Sequence, residues 1–374
     1  MQNRGSNKHR DAWVEIDLGH LEHNIRAIKK KLPNDVKTLA VIKADAYGHG
    51  SVMCAPTLLA CGVDAFGVAS IDEGVELREN KITAPILVLG AVPIWSFETA
   101  IKYDITVSIF SYEHLEVAKS IFERTGKKLN VHIKIDTGMN RIGIDTANAV
   151  KFINDAKSAN YINLKGVFTH FADVEDNKIY EKQIEEFEKI VSKIDRENLV
   201  IHCANSPATL KYNHYFNMVR LGIILYGLTP FSKEENVDFL KQVVGLKGRI
   251  TNIHKIKEND GVSYGHKFKA QKETVVATIP IGYADGVARN LSNKIEASLN
   301  GCKVKQIGNI TMDQMMFDIT NVNAEIGDII TLLGKSDDEN FYSIDKWAKI
   351  LNTINYELTC RLKVRLPRIY TREE

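Results

Sequence analysis

The first 230 residues carry a regular beat of short apolar runs. They lie at 38–43, 65–69, 86–89, 105–110, 131–135, 166–171, 200–203 and 216–221. Runs of four to eight apolar residues bounded by turn formers predict strands covered on both faces. Between most of them the apolar positions recur at helical spacing, as at 113–123 and 178–194. Strands alternating with helices in this way predict a (β/α)8 barrel. An open doubly wound sheet is the alternative, but its Gly-x-Gly-x-x-Gly fingerprint is missing. Ahead of the first run, residues 13–17 alternate like a short strand. Leu21, Ile25, Ile28 and Leu32 then mark a helix over 18–32 that can complete the outer ring.

Past about residue 229 the pattern changes. Apolar runs at 242–253, 273–281, 303–307, 315–319 and 329–333 are broken by turns such as Asn259-Asp260-Gly261 and Asn300-Gly301. Helical spacing is scarce until 342–350. Many short strands with turn chemistry predict a separate, mainly β domain. The expected division is a barrel over 12–235 and a β domain over 236–374. Gly327 with Gly334-Lys335-Ser336 imitates a phosphate-binding loop. Six residues separate those glycines rather than four, and they form an apolar run, so the resemblance to that loop fails.

Composition narrows the class only a little. The 374 residues are 44% hydrophobic and 26% charged, with a net charge of +2. That is the profile of a globular protein and too mild for nucleic-acid binding. The five cysteines form no CxxC pair and none has a histidine at zinc-ligand spacing, so no metal site is expected. A scattered odd set fits a reducing compartment, residues 1–10 lack an apolar signal segment, and no apolar run reaches membrane-spanning length. A cytoplasmic protein is expected.

The chemistry gathers where the barrel strands should end. Lys43 closes the first run, His170 stands near the end of the sixth, Asn205-Ser206 follow the seventh, and Arg220 and Gly222 close the eighth. Barrel enzymes build their sites at that rim. Each residue alone has a plain structural use: Lys43 can end a strand in water, Ser206 can cap a helix, and His170 can be a satisfied core histidine. A lysine so placed can also lose its charge and form a Schiff base with a carbonyl. The pattern leaves both readings open.

The string Val41-Ile42-Lys43-Ala44-Asp45-Ala46-Tyr47-Gly48-His49-Gly50 resembles the cofactor-lysine motif of the bacterial alanine racemases. Further matches follow in family order: HIKIDTGMNRIG, GVFTHFA, HCANSPATL, VRLGIILYG, VSYG, IPIGYADG, MDQ and the closing TINYEL and RLPRIY. The resemblance implies an enzyme that interconverts L- and D-alanine on pyridoxal 5'-phosphate and supplies D-alanine for peptidoglycan. It implies that Lys43 carries the cofactor and that Tyr47, Asn205, Ser206, Gly222 and Ile223 bind it. Arg220 would face the pyridine nitrogen, with His170 bonded to Arg220. Lys43 and Tyr264 would be bases on opposite faces, and Arg141, Met312 and Asp313 would bind substrate. Lys134 matches a position that is often carbamylated. Tyr264, Met312 and Asp313 would come from the partner in a head-to-tail homodimer with shared sites.

Two positions depart from the family pattern. Val364 stands where a tyrosine is usual beside the cofactor phosphate, and Asn309 replaces an arginine near the substrate entry. The smaller valine implies alanine as the best substrate with serine detectable. A racemase of serine or broader range, and a non-enzymatic pyridoxal-phosphate homeostasis protein, are the alternative readings.

Overall fold

The computed structural model describes residues 9–232, 237–336, 340–362 and 365–372. Strand β1 (Ala12–Asp17) opens the chain, and Asp17 caps the helix Leu18–Lys29 by accepting from the N–H groups of Gly19 and His20. Strands β2 (Lys37–Val41), β3 (Ala65–Val68), β4 (Ile86–Val88), β5 (Thr106–Ile109) and β6 (Leu129–Asp136) follow. After the two-residue β7 (Ile144–Asp145) come β8 (Ile162–Phe168), β9 (Val200–His202) and β10 (Met218–Leu221). All of these after β1 pair in parallel. The order β5-β4-β3-β2-β10-β9-β8-β6 is closed by β5 against β6, which makes an eight-stranded barrel. The eight apolar runs correspond to these strands. A parallel barrel is covered inside by its own side chains and outside by helices, so its strands read as unbroken apolar stretches.

The second sheet contains β11 (Val244–Arg249) and β12 (Asn252–Ile256). A small ribbon of β13 (Gly261–Val262) and β14 (Phe268–Lys269) follows. The sheet resumes with β15 (Thr274–Ile279), β16 (Glu296–Leu299), β17 (Cys302–Ile307), β18 (Met315–Asp318), β19 (Ile329–Lys335), β20 (Phe341–Tyr342) and β21 (Arg368–Thr371). Its path is β12-β15-β18-β17-β16-β19-β11-β1-β21.

That path corrects one expectation. The strand at 12–17 belongs to the second sheet, antiparallel to β11 and parallel to β21, and not to the barrel domain. Its alternation showed a half-buried strand but could not name a partner more than 200 residues away. The helix Leu18–Lys29 does pack outside the barrel, against the helix Ser51–Ala60 and the turn Ile223–Tyr226. Its buried Asn24 donates to the carbonyls of Leu225 and Lys241 and accepts from the Lys241 N–H. The expected boundary between 235 and 236 lies outside the described residues.

Register decides what meets at the rim. Arg220 lies beside Leu39 and Leu221 beside Ala40, so β10 ends level with the strand that leads to Lys43. From the other domain, the helix Asn355–Arg361 packs onto the Lys43–Tyr47 turn. A side chain at Gly48 would meet the Thr359 carbonyl oxygen at 2.4 Å, and Arg368 donates to the Gly48 carbonyl at 2.8 Å.

Candidate active site

Lys43 opens a turn of unusual hand. Ala44, Asp45, Ala46 and Tyr47 all have φ near +50°, with values of 52°, 54°, 54° and 54°. A left-handed conformation costs about 1–2 kcal/mol for each non-glycine residue, so the turn persists only because its surroundings hold it. Asp45 accepts from the Ser51 N–H at 2.7 Å, and Glu73 accepts from the Ala44 N–H at 2.8 Å. The Lys43 amine is partly buried. Burial lowers its pKa, Arg141 lowers it further, and Glu73 and Cys360 oppose that shift.

Beside this turn lies a tight cradle. The Ser206 hydroxyl accepts the Gly222 N–H at 2.8 Å. A Cβ on Gly222 would lie 2.8 Å from the Tyr47 hydroxyl and 3.5 Å from Ser206 Oγ. Two hydroxyls thus converge where only glycine leaves room, and Ser206, which accepts the Gly222 N–H, keeps its own O–H to donate to an anion. Asn205 sits behind it, capping the helix Ser206–Lys211 through its bond to the Ala208 N–H. Ile223 begins the buried turn that follows Gly222.

At the same rim Arg220 is buried and donates to four acceptors. They are His170 Nδ1 at 3.1 Å, His202 Nδ1 at 3.0 Å, the Thr169 carbonyl at 2.9 Å and the Cys203 carbonyl at 2.9 Å. Burial pushes its pKa down to about 10, which leaves it protonated at neutral pH. Because a guanidinium only donates, both histidines must present an unprotonated Nδ1 to it. His202 therefore carries its proton on Nε2 and donates to His132 Nδ1 at 2.9 Å. His170 likewise keeps its Nε2–H as a donor. Burial, and then Arg220, hold His170 and His202 well below the ordinary histidine range and His132 down at about 3.

These neutral histidines make stability depend on pH. Unfolded histidine titrates near 6.5, above the folded values, so the unfolded chain binds more protons as pH falls through that point. Stability is therefore lost with falling pH, by about 1.4 kcal/mol per pH unit for each such histidine. His132→Asn keeps an acceptor for His202 but does not titrate. Its Tm should fall less between pH 7 and pH 5 than that of the native chain; equal slopes would refute the assignment.

Lys134 is buried, with its amine 2.7 Å from the Ile135 carbonyl and 5.6 Å from the Phe168 ring centre. Burial first, then Arg220, lower its pKa to about 7. Arg141 lies on the exposed loop after β6, within electrostatic reach of Lys43, His170 and Lys134.

The remaining expected residues are in the second domain. Tyr264 stands on the loop between β13 and β14 and is 75% exposed, and Met312 is 53% exposed. Asp313 is paired with Arg365 at 2.6 Å. Arg365 also approaches the fully buried Asp285, which is bonded to Arg10. The structure thus joins Lys43, Tyr47, Ser206, Arg220 and Gly222 at one rim and sets Tyr264, Met312 and Asp313 on an outward surface.

Comparison with known proteins matches both domains. Residues 16–230 match the alanine racemase N-terminal domain, and residues 243–370 match the alanine racemase C-terminal domain. The chain belongs to the alanine racemase family. An alanine racemase of Nostoc sp. is 41% identical over 96% of this chain and 95% of its own. Alanine racemase 2 of Oceanobacillus iheyensis is 38% identical over 98% and 94%. Among solved structures, alanine racemase of Clostridium difficile 630 superposes with a TM-score of 0.90 at 38% identity, over 97% of this chain and 96% of that one. The enzyme from E. faecalis gives 0.92 at 32% identity, over 98% and 99%. The chain is accordingly an isomerase, an amino-acid racemase.

Within this racemase three contributors escaped sequence reasoning. His132 and His202 open two of the matched strings but carried no role there, and Glu73 showed itself only as the last residue of a Ser-x-x-Glu capping pattern. Asn309, expected to alter the entry channel, has a more definite task. Its buried amide donates to the Tyr264 carbonyl at 2.6 Å, and its own carbonyl accepts from Ser263 Oγ at 2.7 Å. Val364 lies outside the described residues.

Proposed function

We propose that the protein interconverts L- and D-alanine with Lys43 and Tyr264 as the two bases. In this reading it works as a cytoplasmic head-to-tail homodimer on pyridoxal 5'-phosphate and supplies D-alanine for peptidoglycan. The observation that carries the proposal is the meeting at one rim of a lysine with a lowered pKa, an anion cradle and a guanidinium held by two neutral histidines. The residues fit the cofactor. Ser206, Tyr47 and the amides at Gly222 and Ile223 suit its phosphate, Asn205 caps the segment that bears Ser206, and Lys43 is placed to carry it covalently. When bound, pyridoxal phosphate withdraws electrons from the substrate α-carbon and makes its proton acidic.

Inversion at that carbon requires one group to take a proton from one face and another to return one on the opposite face. Lys43 serves one face, since a depressed pKa leaves more of its amine neutral and able to accept. Tyr264 of the partner would serve the other, with Met312 and Asp313 beside it. Arg141 would hold the substrate carboxylate by charge-assisted bonds. Arg220 donates only, so a ring nitrogen facing it stays unprotonated. That limits charge build-up at the ring and disfavours side reactions such as transamination. The His170 Nε2–H extends this network towards the second face.

The test is twofold. Purified protein given pyridoxal phosphate should racemise L-alanine, and borohydride should fix the label on the peptide containing Lys43. A label on another lysine would overturn the assignment. A binding-only homeostasis protein of one barrel leaves the matched second domain unexplained. A serine or broader racemase remains distinguishable by kcat/KM across amino acids.

Lys134 supports a further part of this reading. With a pKa near 7, a large share of its amine is neutral at neutral pH and can attack carbon dioxide. The N–C bond forms as a proton leaves to water, and the resulting anion would brace Arg141. Protein equilibrated with 13C-bicarbonate should show a bound carbamate resonance that Lys134→Ala lacks. Its absence from the native protein would remove this part.

A further inference from the structure

Glu73 reaches the cofactor-lysine turn from a neighbouring element. It lies in the helix Ile71–Glu79, whose N-cap Ser70 accepts from the Glu73 N–H at 3.3 Å. In an ordinary capping box the glutamate would turn back to the N-cap amide. Here one carboxylate oxygen accepts from the Ala69 N–H at 2.6 Å, and the other accepts from the Ala44 N–H at 2.8 Å. The side chain therefore ties the end of β3 to the residue directly after Lys43.

We propose that Glu73 is a positioning residue for Lys43, holding the left-handed turn in place and setting a carboxylate charge against the lysine amine. This rests on the reading of Lys43 given above. The structural half follows from strain. Four successive non-glycine residues in the left-handed region relax unless something fixes them, and Ala44 is the first of the four. A carboxylate accepting two backbone amides is a charge-assisted clamp, stronger than a neutral contact.

The electrostatic half follows from the groups that face Lys43. Arg141, from the loop after β6, disfavours a proton on the amine, and so does burial. Glu73 and Cys360 act the other way, Cys360 from the helix Asn355–Arg361. The Cys360 thiol is itself held up by burial and is uncharged at neutral pH, so the opposing charge is that of Glu73. A base that must first accept a proton and later release it needs an intermediate affinity. Burial and Arg141 both disfavour a proton on Lys43, and the Glu73 carboxylate partly offsets them.

The variants Glu73→Gln and Glu73→Asp separate the two halves. Glutamine keeps an acceptor and the length but loses the charge. In the cofactor-loaded full chain, the pH midpoint of the visible absorption change at the Lys43-linked cofactor should then move below the native value. The acid limb of kcat should move the same way. Aspartate keeps the charge but is one methylene too short to span both amides. Its midpoint should lie between those of the native and glutamine proteins, with a Tm several degrees lower. An unmoved midpoint together with an unmoved acid limb in Glu73→Gln would overturn the proposal. If Glu73→Gln fails to fold, a midpoint in Glu73→Asp at or above the native one would do so. Borohydride trapping of the native chain is scored separately, so a label away from Lys43 counts against the assignment of that lysine and not against Glu73.

Discussion

Mixing the variants Lys43→Ala and Tyr264→Phe, each expected to be nearly inactive, should restore racemase activity. Each homodimer lacks one base at both sites and should lose on the order of 10²–10⁴ in kcat, the usual worth of a positioned acid or base. In a mixed dimer one rim contains both substitutions and the other contains neither. Equal mixing with full exchange makes half the dimers mixed, so about a quarter of native activity should return. The expectation stems from the placement of Tyr264. Tyr264 is 75% exposed on a loop of the second domain, with its backbone carbonyl held by Asn309, while Lys43 sits at the barrel rim. A base cannot act on a substrate from open solvent; it needs a neighbour's barrel rim to enter. If exchange is demonstrated and no activity returns, the two residues act within one chain.

Arg220→Lys should cost both stability and rate. Lysine keeps the positive charge, yet an ammonium has three protons and the position offers four acceptors spread over two histidines and two carbonyls. A shorter reach removes at least one further bond. Hydrogen bonds to charged groups contribute about 1.5–3 kcal/mol each, so unfolding stability should drop by roughly 3 kcal/mol or more. With His170 and His202 no longer fixed in one tautomer, kcat should fall about 10²-fold or more, as at sites where one misplaced group disturbs several others. Denaturant unfolding and alanine kinetics measure the two effects. A variant with native kcat would show that the guanidinium network is structural alone.

The barrel was legible because its strands are buried on both faces, which writes them as continuous apolar runs. Lys43 was legible for a related reason, as a charge at the end of such a run. The turn after it was not. Ala44-Asp45-Ala46-Tyr47 contains no glycine, and no local rule predicts four left-handed residues there; the clamp from Glu73 is tertiary. His132 and His202 were hidden because an apolar strand tolerates a histidine whether it packs or relays, and only the shared partner Arg220 decides. The helix Asn355–Arg361 lay within a recognised string but carried too few turns to declare a periodicity. The partner of β1 was hidden by separation in the sequence.

That partner bears on how the molecule comes into being. β1 lies between β11 and β21, and β21 joins the sheet through β1. A ribosome releases β1 first, but β11 begins at Val244 and β21 only at Arg368. β1 must wait through synthesis of the whole barrel for its first neighbour, and until Arg368 has emerged for its second. Contacts so distant in sequence form late and slowly. The barrel can fold as it emerges, whereas the second sheet can close only when β11 and β21 have both reached β1.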